Sequence, residues 1–105
     1  MYTPDQWEIV EVGGTHPHYR IFGSWSGGYL DGDSWRLNSG VTSCESEGDY
    51  YLFHGHTGSI YKCHKEAYGI RSPWNAAELQ RIVEGAPGTA ETLPFLPDNL
   101  ENFTW

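Results

Sequence analysis

Between Tyr19 and Lys65, large apolar and polar residues alternate in short runs cut by glycine pairs and by Gly-Asp or Ser-Gly dipeptides. A period of two belongs to strands whose faces differ, so these runs predict an antiparallel sheet. Trp7 to Val12 reads as a first strand ending at Gly13-Gly14. His16-Pro17-His18 reads as a turn, because proline supplies no backbone donor and restricts the residue before it. Tyr19 to Trp25 places Tyr19, Ile21, Gly23 and Trp25 on one face and Arg20, Phe22 and Ser24 on the other. Gly27-Gly28 then predicts a bend or bulge. Ser34 to Asn38 alternates with Trp35 and Leu37 inward and Ser34, Arg36 and Asn38 outward, and Asn38-Ser39-Gly40 carries hairpin residues. Val41 to Glu45, Tyr50 to His54 and Ser59 to His64 follow as strands, the last two joined by a tight turn at Gly55 to Gly58.

Beyond residue 70 the period lengthens. Ser72-Pro73 or Asn75 can begin a helix, Pro73 being tolerated in a first turn, and Asn75 with Glu78 has capping-box spacing. Leu79, Ile82, Val83 and Ala86 fall on one face, and Gly85 offers a stop. A helix of roughly ten residues does not persist alone in water, so this one is expected to pack on the sheet. From Pro87 onward, Pro87, Pro94, Pro97 and Gly88 argue against regular structure. Leu93, Phe95, Leu96, Leu100, Phe103 and Trp105 nevertheless make this stretch too apolar for a solvated tail, leaving a wrap across the sheet or a docking peptide. The pattern predicts an α+β fold: an antiparallel β-meander of about five strands, able to curl into an SH3-like or other open barrel, with one C-terminal helix. Residues 1–86 form the β-rich domain with that helix, and residues 87–105 a proline-rich, acidic and aromatic tail.

Composition narrows the function classes. Fourteen Asp and Glu against six Lys and Arg give a net charge of −8. Such a body is repelled by phosphate, which disfavours direct nucleic-acid binding and favours a protein partner with a basic surface. No apolar run approaches the roughly 18 residues of a membrane span, and no leader pattern opens the chain, which points to the cytoplasm. Cys44 and Cys63 are expected on strands flanking a shared neighbour. Two inter-strand steps of about 9–10 Å in total exceed the roughly 7 Å that a disulfide spans, so both are read as free thiols.

Candidate chemistry is sparse. His16-Pro17-His18 and His54-Gly55-His56 are H-x-H pairs, with Cys63-His64 on the strand after the second. A zinc site built on His54, His56 and His64 or Cys63, serving a small metal-binding protein or a metal-dependent enzyme, is the alternative reading, but no spacing points to a complete ligand set. Asp31-Gly32-Asp33-Ser34 opens like a calcium loop without the later ligands and fits a turn better. No nucleophile elbow, P-loop or dinucleotide fingerprint occurs, and no cofactor is implied. What remains is a surface. Trp25, Tyr29, Asp31, Asp33 and Arg36 surround the Gly27-Gly28 bend, and Trp and Arg are the residues over-represented at protein-binding hot spots. The reading is a non-enzymatic, acidic protein-binding factor.

The run Gly32-Asp33-Ser34-Trp35-Arg36-Leu37-Asn38-Ser39-Gly40, with Gly58-Ser59-Ile60-Tyr61-Lys62-Cys63-His64-Lys65 downstream, resembles small proteins encoded by tailed phages and prophages. The resemblance covers residues 19–70 and brings no catalytic residues. It implies an accessory factor working in the host cytoplasm that binds and inhibits a host protein, whether a defence protein or one that normally holds nucleic acid.

Overall fold

The computed structural model describes residues 1–28, 32–86 and 88–105. Among the described residues seven strands are present: β1 (Gln6–Val12), β2 (His18–Gly28), β3 (Gly32–Leu37), β4 (Val41–Glu47), β5 (Tyr50–Gly55), β6 (Ile60–His64) and β7 (Ala90–Thr92). One helix, α1 (Pro73–Gly85), precedes β7, and a short 3₁₀ turn spans Leu100–Asn102. The strands form two antiparallel sheets, ordered β3-β2-β1-β7 and β4-β5-β6. The α+β class holds, but the single five-strand meander divides in two, and the sheets do not close into a barrel among the described residues.

The division falls where hairpin chemistry was expected. Asn38 does not turn β3 back on itself; it starts a corner that carries the chain into the second sheet. Its side chain is buried rather than outward, and its Oδ1 accepts the Ile21 amide at 2.7 Å. Gly40 adopts φ 131°, a conformation open chiefly to glycine, and its carbonyl accepts from His56 N at 2.8 Å. The expected turn at Gly55 to Gly58 does form, with Gly55 N donating to Ser59 O at 2.7 Å.

The four-stranded sheet is the middle of three layers. Strand alternation sends Trp7, Ile9 and Ile21 toward the second sheet, where they meet Val41, Cys44, Phe53, Tyr61 and Cys63. It sends Val10 and Phe22 the other way, against Leu79, Ile82 and Val83 of α1. Ser72 caps α1, its Oγ accepting from Asn75 N at 3.2 Å, and Pro73 follows where a missing amide costs nothing. Asn75 is therefore a third-position residue and not the cap.

The C-terminal residues complete the interior. Ala90–Thr92 pairs with β1, and Leu93 N donates to Ile9 O at 2.9 Å. Prolines do not bar regular structure here, because β7 falls between Pro87 and Pro94 and the 3₁₀ turn follows Pro97. Leu100 is fully buried in the inter-sheet core, while Phe103 and Trp105 set their ring edges against Tyr19. Tyr68 seals the same side: its hydroxyl donates to Leu93 O at 2.7 Å and accepts from Ile9 N at 3.1 Å.

Candidate functional site

Trp25 and Arg36 come together. Trp25 lies near the end of β2, where Nε1 donates to Thr3 O at 3.1 Å and the ring meets Tyr2 edge-on at 6.4 Å. Arg36, on the neighbouring strand, places its guanidinium 4.4 Å from the centre of the same Tyr2 ring. The two side chains, the first three residues, Ser34 and Trp35 line an open cleft of about 510 Å³.

Asp33 lies apart from that pair, on the side of β3 that meets α1. Its Oδ1 accepts from Gly27 N at 3.2 Å, and its Oδ2 accepts from Ser72 Oγ. The Ser72 bond first, then the Gly27 bond, holds this carboxyl below the usual aspartate range. Asp33 thus ties β3 and the glycine bend to the helix cap. Tyr29 and Asp31, the other two candidates, lie outside the described residues.

The reason β2 and β3 need such a tie is visible in their ladder. Their register shifts between Trp25 and Gly28, so the expected bulge forms and regular pairing is broken there. Asn75 reaches into the break from α1: its Nδ2 donates to Ser24 Oγ and Ser34 O at 2.8 Å each, and to Trp25 O at 3.3 Å. A buried amide thus satisfies two main-chain carbonyls beside the interrupted ladder.

Two exposed tryptophans flank the same strand. Trp35, assigned to the interior by alternation, stacks on Phe22 at 5.4 Å yet stays 38% exposed, because β3 is the edge of its sheet. Trp74 is 78% exposed at the start of α1. With Asp33, Asn75 and Glu78 they line a second cleft of about 400 Å³. Trp74 was legible in principle: it falls off the helix face formed by Leu79, Ile82 and Val83, where a large ring has no core to enter. Among the described residues β3 pairs with β2 alone, and its outer edge carries no strand.

The other candidate chemistries are scattered. His54 Nε2 sits 3.0 Å from Glu45 Oε1, while His56 is exposed in the adjoining turn. His64 accepts the Glu66 amide through Nδ1 at 3.1 Å. Among the described residues, no three His, Cys, Asp or Glu side chains gather as metal ligands. Cys44 and Cys63 are free, buried thiols on β4 and β6, on either side of β5. Burial, then the nearby Glu101 carboxylate, pushes the Cys44 thiol up to about 12. Burial, then Cys44, raises Cys63 well above the ordinary value. Both are protonated at neutral pH and so lack the nucleophilic form. No described helix is long and apolar enough to cross a membrane. No protein-family model, curated protein or solved structure matches this chain.

Proposed function

We propose that this chain is a non-enzymatic protein-recognition module that takes an extended segment of a basic partner along the outer edge of β3. One observation carries this reading: a strand edge with no partner among the described residues is flanked by two clefts, one holding Trp25 and Arg36 and one holding Trp74, with Trp35 lining both. A free edge offers main-chain donors and acceptors to an incoming strand, and side-chain clefts on both sheet faces can read its alternate residues. Trp and Arg supply the anchors, which are the residues that dominate binding energy in protein interfaces. The charge of −8 steers a basic partner toward the domain and repels an acidic one. In this reading the factor acts in the host cytoplasm as a phage-type inhibitor, covering a basic surface of a host protein.

The test is affinity capture from bacterial lysate at low and high salt, with wild type beside a Trp35→Ala/Trp74→Ala double variant. The expected result is a partner held by wild type, weakened by salt, and lost from a double variant that melts as wild type does. Amide exchange in Gly32–Leu37 should slow in the complex. Equal capture by both proteins, or nothing above a heat-denatured control, defeats the reading.

A further inference from the structure

A second binding feature lies at the opposite end of α1. There the helix, β1, β2, β3 and β7 leave a cleft of about 560 Å³, within the size range of small-molecule sites. Its walls are Val10, Val12, Leu37 and Ile82, and it exists because Ala86 and Ala90 stand where larger side chains would fill the space. A purely apolar gap would be only a packing defect. This one is rimmed by Arg20 and Arg81, two of the six Lys and Arg in a chain with 14 acidic residues.

Arg20 is held in place by a relay. His18 Nδ1 lies 2.8 Å from His16 O, a pure acceptor, so Nδ1 carries the proton. His18 Nε2 then has its lone pair free, and it accepts from Arg20 Nε at 3.0 Å. The bond fixes the plane of the guanidinium and, among the described residues, leaves its two terminal nitrogens uncommitted. Among the described residues no carboxylate reaches Arg20, whereas Arg81 already pairs with Glu78. An oriented, unpaired guanidinium at the mouth of an apolar cleft calls for a planar anion with an apolar body. Gly85 and Ala86 line the far side, where the C-terminal end of α1 carries partial negative charge. The anionic head is therefore directed to Arg20, with the apolar body under Ile82.

We propose that this cleft binds a small monocarboxylate with an aliphatic body, its carboxylate paired with Arg20 and its chain lying between Val12, Leu37 and Ile82. The site is separate from the β3 edge and does not rest on the partner-binding reading. Octanoate is the probe, titrated into the full chain and followed by amide chemical shifts, with octanamide and inorganic phosphate as controls. Saturable shifts at Val12, Arg20, Leu37 and Ala90 are expected with octanoate. Arg20→Gln should weaken binding about tenfold or more, since a charge-assisted bond is lost. Ala90→Leu, which fills the cleft and keeps Arg20, should abolish it. Absence of saturable shifts, equal affinity for octanamide, the same shifts with phosphate alone, or undiminished binding by Ala90→Leu each overturns the proposal.

Discussion

On the face of the four-stranded sheet turned to the second sheet, Trp7, Ile9 and Ile21 meet Phe53, Tyr61 and Cys63, and Leu100 closes the side. On the face turned to α1, Val10, Phe22 and Leu79 fill only the middle. One end of that second face is polar, with Asn75, Ser24 and Ser72 buried beneath the helix start. The other end is the cleft at Arg20 and Ala90. A single thirteen-residue helix cannot cover a four-stranded sheet as fully as another sheet does. Stability is therefore concentrated on the face between sheets, and the incompletely covered face is where Trp35 and Trp74 are exposed and where Arg20 has no carboxylate partner among the described residues. Side-chain changes on the two faces should separate these roles.

The largest expected effect is on the inter-sheet face. Trp7 is 0% exposed, and its Nε1 donates to His64 O at 2.8 Å. Trp7→Ala removes the largest buried ring and leaves His64 O with the Ala67 amide alone of these two donors, and should cost about 3–5 kcal/mol in urea unfolding. A loss below about 1 kcal/mol, the centre of ordinary point-mutant effects, would show that this face is not the stabilising one. Leu100→Ala should cost about 2–4 kcal/mol, because its side chain sits in the same core. A much smaller loss would make residues 93–105 an appendage instead of part of the interior.

On the helix face, Asn75→Ala leaves Trp25 O and Ser34 O without the amide that serves them. The expected cost is about 1–3 kcal/mol, with faster amide exchange at the bulge of β2. Two carboxylates sharpen the contrast through pH. Burial raises Glu8 above its ordinary 4.5, against a weaker opposing bond from Ile70 N. Its contribution is fully present below pH 4.5 and is lost as pH rises through the folded value, so Glu8→Gln should stabilise at neutral pH and change little in acid. Asp33 is lowered from 3.8, so its contribution is present above that value and is lost as pH falls through the folded one. Asp33→Asn should destabilise at neutral pH and converge with wild type in acid. Thermal melts across pH 2–7 read both, and parallel behaviour of the two variants would contradict these signs.

The smallest stability effect is expected at the surface. Trp74→Ala should change unfolding by no more than about 0.5 kcal/mol, since the ring is mostly in solvent. Its effect should appear in partner capture alone. Phe95, at 83% exposure in the C-terminal segment, is the matching control, and Phe95→Ala should leave both stability and capture unchanged if β3 is the docking edge.

Local pattern was enough for several elements. Tyr19 to Trp25 sorted its two faces correctly, since alternation follows from backbone geometry alone. Ser72-Pro73 opened the helix, because a cap and a missing amide act within one turn. The failures share a cause. Asn38-Ser39-Gly40 has the residues of a hairpin, yet such residues specify a change of direction and not which strand is met next. Ala90–Thr92 looked like tail because three residues carry too little pattern to announce a strand, and only the open edge of β1 made it one. Trp35 alternates inward, but alternation does not say that its strand is an edge with half a cover.

The amino-acid order alone therefore determined the β-rich class, the two faces of β2, a helix beginning near Ser72 to Asn75 and the net negative charge, all properties that follow from composition or from neighbouring residues. Division into two sheets, closure by the C-terminal segment, and the placing of Trp25 with Arg36 and of Asp33 with Ser72 were decided in three dimensions. Those features join residues distant along the chain, and their energies depend on which surfaces remain uncovered once every strand has found its neighbour.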